Sequence, residues 1–320
     1  MDTLLLTRSE VIRLVDPTTL VTPMRNAFHD YSVRRVIPGR RFFTPLDGPG
    51  DAMILAPGLT PDVPAYTVKV HAKFPDQQPA INGALLLHDL QTGRLLAVMD
   101  STYLTAVRTG LGAALATDLL ANPDAGSVTV IGAGVQGEFQ LRYLSLLRPL
   151  TQVMVYDIDA ERAEVYAARL SGELDISIKP CVSLAAAVSN AEIILTATWA
   201  KEPFLFPDMI RAGCHITTLG ADQPGEAELA AELIEQAAFF CDDRDLALSQ
   251  GAIGGVGLSA AAINAELGEV LAGNRPGRGE ASQITVYGAV GVAFQDLVVA
   301  WQVYNDARAR HVGRSLDFLD

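Results

Sequence analysis

The run Val128-Thr129-Val130-Ile131-Gly132-Ala133-Gly134-Val135-Gln136-Gly137 reads as an apolar strand, a tight turn and the start of a helix. At that spacing Gly132 permits the turn, Gly134 lets the backbone approach a diphosphate, and Gly137 allows close helix–strand packing. The free amides at the helix start supply the positive pole that phosphate oxygens need. Val135 and Gln136 open this helix and belong to the expected cofactor contacts. Asp157 ends the next apolar strand. An acid there accepts hydrogen bonds from both ribose hydroxyls and repels a 2′-phosphate, which favours NAD over NADP. Asp159 competes for the same duty. The plain alternative is a glycine-rich turn beside a solvated Asp-x-Asp loop, and the strand–turn–helix–strand context speaks against it.

The elements that must position these residues change character along the chain. A helical pattern over 9–33 is followed by a stretch broken by Pro38, Gly39, Pro45, Gly48, Pro49, Gly50, Pro57 and Gly58. Short strands are expected at 52–55, 65–73, 84–89 and 95–100, close enough to form an antiparallel or barrel-like sheet. A helix over 103–120 ends at Asn122-Pro123-Asp124-Ala125-Gly126, the best domain boundary in the chain. Beyond it, apolar strands at 128–131, 153–156, 176–178, 193–197, 215–219 and 238–241 alternate with helices at 136–147, 160–171 and 184–189. Strands buried on both faces and spaced by crossover helices describe a parallel, doubly wound sheet. A last helix over 290–309 is long enough to return to the first domain. The expected fold is therefore α/β: a Rossmann-type parallel sheet over 122–296, plus a smaller α+β substrate and dimerisation domain over 1–121 with the C-terminal helix at about 297–320.

Composition narrows the partners. Of the residues 49% are hydrophobic and 19% charged, which is globular composition. A net charge of −13 argues against nucleic acid or an anionic membrane surface as the main partner. No basic leader precedes the opening leucines, and no uncharged apolar run approaches the ~20 residues that span a bilayer. Cys181, Cys214 and Cys241 are scattered and lack CxxC spacing, so they read as reduced thiols of a cytoplasmic protein, with no metal site expected.

Further segments carry a family resemblance: Thr67-Val68-Lys69-Val70, Thr92-Gly93 with Leu96-Ala97-Val98-Met99-Asp100, Leu104-Thr105-Ala106-Val107-Arg108-Thr109, the glycine turn, Tyr156-Asp157-Ile158-Asp159, and Leu219-Gly220-Ala221-Asp222-Gln223-Pro224-Gly225 with Glu228-Leu229. Over most of its length the chain resembles the ornithine cyclodeaminase/mu-crystallin family. The Arg-Thr segment and the Gly-Ala-Gly-x-Gln turn are together the specific part. The resemblance implies an NAD-dependent enzyme acting on the α-carbon of a small amino or imino acid, and commonly a homodimer. It implies that Arg41, Lys69 and Arg108 hold the substrate carboxylate, with Lys69 also acting as acid/base, and Arg40 competes with Arg41. A bidentate guanidinium suits an α-carboxylate, and fixing that group aims the α-carbon. Asp222 is the expected proton-transfer residue. Thr109 and Thr198 complete the expected cofactor set.

The sequence departs from the family in three places. Glu226 stands where those enzymes usually carry Lys. The stretch Met53-Ile54-Leu55-Ala56-Pro57 is apolar where cyclodeaminases place a carboxylate to steer the distal amine of ornithine. On a strand Lys69, His71 and Lys73 share one face, which would suit a substrate with a second anionic group and makes Lys73 a candidate substrate contact. These features favour an imine reductase or amino acid dehydrogenase. A cyclodeaminase converting ornithine to proline and ammonia is the alternative, and a ligand-binding protein without chemistry is the third reading, opposed by the intact Lys69, Arg108 and Asp222.

Overall fold

A computed structural model describes residues 2–34, 41–46, 50 and 52–317. Pro38, Gly39, Arg40, Gly48 and Pro49, named above, lie outside the described residues. The chain opens with β1 (Thr3–Leu6), α1 (Arg8–Leu14) and α2 (Pro17–Arg34). The single helix expected over 9–33 is thus two. Pro17 has no N–H to continue a helix but suits the first position of a new one, and Asp16 accepts from the Thr18 N–H at 3.0 Å.

There follow β2 (Phe42–Pro45), β3 (Ala52–Gly58), β4 (Ala65–Lys73), β5 (Ile81–Asp89), β6 (Leu95–Asp100) and α3 (Ser101–Leu120). Asp100 starts α3 by accepting from the Tyr103 N–H at 3.0 Å. The next elements are β7 (Ser127–Ile131), α4 (Val135–Leu147), β8 (Gln152–Tyr156), α5 (Ala160–Leu174), β9 (Ile178–Pro180), α6 (Leu184–Val188), β10 (Ile193–Thr196) and β11 (His215–Thr218). The chain closes with α7 (Ala231–Gln236), β12 (Ala238–Cys241), α8 (Arg244–Ser249), α9 (Ala252–Gly255), β13 (Ile263–Glu266), α10 (Leu267–Leu271), β14 (Thr285–Gly288), α11 (Ala293–Arg310) and β15 (Arg314–Leu316).

By Cα packing the chain divides into Met1–Arg108 with Val292–Asp320, and Thr109–Gly291. The first unit holds a seven-stranded sheet in the order β15-β1-β6-β5-β4-β3-β2. It is a mixed, open sheet among the described residues, where the sequence suggested an antiparallel or barrel-like one. β1 runs parallel to β6, and β2 and β15 form opposite edges. The pairing of β1 with β6 joins residues about 90 positions apart, which local spacing does not reveal. Helix α11 packs on β3, β4 and α2, with Phe294 edge-on to Phe28 at 5.1 Å between ring centroids.

The second unit holds an all-parallel sheet ordered β13-β12-β14-β11-β10-β7-β8-β9. Strands β10, β11, β12 and β14 are buried along their whole length, as strands covered on both faces must be. The strand expected at 176–178 begins only at Ile178 and ends on Pro180, which the sheet tolerates because β9 is its edge. Chain order reverses between β7 and β10, so the crevice at their carboxyl ends is the place where open α/β sheets bind ligands.

Candidate active site

Within the first unit, β4 alternates as expected: Thr67, Lys69, His71 and Lys73 are buried while Val70 is exposed. Its neighbours put small or apolar residues beside them, Ala56 and Leu85 opposite Lys69, and Ile54 opposite His71. Lys69 is only 2% exposed, and a buried ammonium needs compensation. Asp296, in the first turn of α11, provides it. Lys69 Nζ donates to Asp296 Oδ1 at 2.8 Å and lies 2.7 Å from Oδ2. Arg108 Nε approaches the same Oδ1 at 3.2 Å, and its Nη1 donates to Gln295 Oε1 at 3.1 Å. Thr105, one turn before Arg108 on α3, stands 3.5 Å from Lys69 Nζ.

The close approach of β3 to α11 makes this arrangement possible. A Cβ on Gly58 would lie 2.3 Å from the Ala293 carbonyl oxygen, so a larger residue there would push the first turn of α11 away. Burial, and next the Arg108 guanidinium, pull Lys69 down to about 7; Asp296 opposes both, and Arg41 adds a smaller depression. At neutral pH Lys69 can therefore gain or lose a proton, as an acid/base group must. Two cations around one fixed carboxylate leave a net positive charge in a dry environment, which a single substrate carboxylate would neutralise. Arg41 is half-buried just before β2, whereas Arg40 lies outside the described residues.

Within the second unit, the glycine turn has the geometry of a dinucleotide cradle. Gly132 has φ of +99°, and a Cβ on it would lie 2.5 Å from the Ala197 carbonyl oxygen at the end of β10. A Cβ on Gly137 would lie 2.2 Å from the Gly132 carbonyl oxygen, so α4 can sit this close to β7 only with glycine. Gly134 caps α4, and its Cβ would meet nothing within 4 Å. The space in front of these amides is therefore open to a diphosphate. Val135 beside it is 59% exposed, and Gln136 Oε1 finds no hydrogen-bond donor among the described residues.

Asp157 ties the turn to β8, accepting from the Ala133 N–H at 2.8 Å and the Asp159 N–H at 3.0 Å. Asp159 caps α5, accepting from the Glu161 and Arg162 amides. Thr109 is half-buried on α3, next to Gly110, whose missing Cβ lets Phe139 of α4 approach.

The loops beyond β10 and β11 share one buried brace, a role that the sequence did not reveal for Glu228. Glu228 accepts from the Thr198 N–H at 2.7 Å and hydroxyl at 2.8 Å, the Thr218 hydroxyl at 2.7 Å, the Gly220 N–H at 2.9 Å, and also the Thr196 hydroxyl. Thr198 is thereby fixed at the crevice mouth, with its hydroxyl directed to Glu228. Glu226 has a similar role two residues earlier, accepting from Gln223 Nε2 at 2.7 Å and from the Asp222 N–H at 3.2 Å. The departure from Lys at that position therefore serves the loop that carries Asp222. Asp222 itself is half-buried beyond the carboxyl end of β11 and does not cap the next helix, whose cap is Ala230.

Sequence reasoning also missed Asp296 and Gln295. The available signal was an acid set in the apolar run Val292-Ala293-Phe294-Gln295-Asp296-Leu297-Val298-Val299. By itself it reads as an ordinary first-turn acid. The three cysteines are free, and burial pushes Cys214 up to about 12, so it carries no thiolate chemistry at neutral pH. Among the described residues no helix is long and apolar enough to cross a membrane.

A family model described as ornithine cyclodeaminase/mu-crystallin family matches residues 1–311. The chain belongs to this family. It is 38% identical over 227 residues to the ketimine reductase mu-crystallin of Mus musculus, covering 71% of this chain and 70% of that one. Among solved structures, it superposes with a TM-score of 0.93 and 28% identity on an archaeal alanine dehydrogenase dimer with bound NAD, each chain covered in full. It matches Thermococcus litoralis Δ1-pyrroline-2-carboxylate reductase in complex with NADH and L-proline equally well, with a TM-score of 0.93, 30% identity, and 98% of this chain and 100% of that one covered.

Proposed function

We propose that the chain is an NAD(H)-dependent oxidoreductase that interconverts a small L-amino acid and its imine or 2-oxo acid. The observation that carries this is the buried Lys69–Asp296–Arg108 group, whose surplus positive charge fits one α-carboxylate. The glycine cradle, the open face at Gly134 and the acid Asp157 fit NAD, with Val135, Gln136, Thr109 and Thr198 as further contacts. Bound NAD(H) accepts or supplies the hydride at the substrate α-carbon. The chain does the rest. Arg108 and Arg41 hold the carboxylate and orient that carbon, and Lys69 Nζ holds or yields a proton beside it. Asp222 exchanges the proton of the substrate nitrogen. We assign substrate binding and homodimer formation to the first unit, cofactor binding to the second, and a cytoplasmic location to the whole; the archaeal alanine dehydrogenase dimer supports the assembly.

The experiment is an NADH-oxidation screen of 2-oxo acids with ammonia and of cyclic imines, beside an ammonia-release assay with ornithine, lysine and arginine. Net NADH turnover is expected, fastest with neutral or dicarboxylic imines. Ile54, 1% exposed, stands where a distal ammonium would need an acid, and Lys69 and Lys73 on the same strand face would repel it. For a substrate with a second carboxylate, Lys73→Ala should raise KM roughly tenfold or more and spare alanine-like substrates. Ammonia release from ornithine without net NADH change would establish the cyclodeaminase reading instead.

Cofactor choice gives a separate test. NADH should bind at least about tenfold more tightly than NADPH, because Asp157 would face the 2′-phosphate charge to charge. Asp157→Ser should narrow that ratio in a fluorescence titration. Equal affinities in the wild type would remove Asp157 from the ribose site.

A further inference from the structure

We propose that Asp296 is a positioning residue for the reaction: it holds Lys69 and Arg108 together as one carboxylate clamp and keeps Lys69 protonated where the substrate carboxylate meets it. The inference rests on the function proposed above, but its test does not require turnover.

Asp296 is 1% exposed, and both of its oxygens are engaged by Lys69 Nζ, with Oδ1 also taken by Arg108 Nε. An acid serving only the helix dipole does so at the surface and would not need burial against two cations. Here the acid is buried, and without it two like charges would face each other in a dry site. Among the described residues, the groups that surround Lys69 include no second acid to replace Asp296. Helix α3 contributes Arg108 and the hydroxyl of Thr105, the residue before β2 contributes Arg41, and β4 itself contributes His71. Strands β3 and β5 present Ala56 and Leu85 opposite Lys69. Of the main influences on the Lys69 proton among the described residues, burial, Arg108 and Arg41 favour its loss, and Asp296 favours its retention.

The sign follows. Replacing Asp296 by a neutral residue lowers the pH at which Lys69 loses its proton. An opposite charge in contact typically moves such a midpoint by about 1–3 pH units. The neutral amine no longer attracts a carboxylate, so clamp and acid/base group fail together.

The chain has only four lysines, Lys69, Lys73, Lys179 and Lys201, so lysine labelled with 13C at Cε yields a spectrum that can be assigned. The Lys69 signal is identified by its loss in Lys69→Arg and followed against pH in the full chain. In Asp296→Asn its midpoint should fall by about one pH unit or more relative to wild type, and Asp296→Glu should restore most of the difference. Should the two cations left by Asp296→Asn prevent folding, the same pair is compared in an Arg108→Gln background, where one cation remains. An unchanged Lys69 midpoint on loss of the Asp296 charge, in either background, overturns the proposal. Because no substrate is present, that result is separable from a failure of the activity screen.

Discussion

Lys69→Ala and Arg108→Ala should each lower kcat/KM by about 30-fold or more while leaving NADH affinity within a few-fold of wild type. Removing one member of a buried, charge-assisted contact to a substrate costs about 2–5 kcal/mol, a loss in kcat/KM of about 30-fold to about 5,000-fold. Lys69 should lie at the upper end, because its removal takes away both a carboxylate contact and the group that titrates near pH 7. Folding should survive both changes. In Lys69→Ala, Asp296 keeps Arg108 as counter-ion, and in Arg108→Ala it keeps Lys69, so neither variant strands a buried carboxylate. The check is steady-state kinetics with the best substrate of the screen, beside a fluorescence titration of NADH. Near-normal turnover by Lys69→Ala would place the active site elsewhere.

The largest effect on stability is expected at Glu228. It is 1% exposed and accepts from two backbone amides and three threonine hydroxyls. In Glu228→Ala the hydroxyls can turn to other acceptors, but the amides of Thr198 and Gly220 cannot move without their loops. Each buried donor left unsatisfied costs about 1–3 kcal/mol, so a total of about 2–6 kcal/mol is expected. For a unit of this size that corresponds to a fall in Tm of about 4–24 °C. No side chain can fill the gap from Gly220, whose Cβ would lie 2.4 Å from Glu228 Oε1 in the native arrangement. Thermal or urea unfolding of the variant measures the effect. A loss below about 1 kcal/mol would mean that the loops beyond β10 and β11 hold their positions without this brace.

The parts of the site that were legible in the sequence are those built within one short segment. The glycine turn is one: the positive φ of Gly132, the open face of Gly134 and the contact at Gly137 each answer to a residue type at a fixed offset. The buried face of β4 is another, because period-two alternation alone puts Lys69, His71 and Lys73 together. Local reading failed where short elements depend on partners. Strand β14 lies in the middle of the parallel sheet but has four residues and was not anticipated, because what marks it is the two neighbours β11 and β12. The residues at 9–33 carried one continuous apolar pattern, and only the chemistry of Pro17 divides it.

Residue order by itself determined that this chain carries an NAD-type turn, an Arg-Thr helix segment and a lysine on a buried strand face. Those features are set by covalent spacing and by the periods of helix and strand, which act over a few residues. Tertiary structure alone decided what compensates the buried lysine. Asp296 stands 227 positions from Lys69, on a helix whose own sequence asks only for an acid in its first turn. The same holds for Glu228, whose side chain joins two strand ends that are neighbours only once the parallel sheet has formed. The reason is physical. A buried charge is satisfied by whatever the fold brings within about 3 Å, and proximity across a sheet or between a helix and a strand leaves no trace in local spacing.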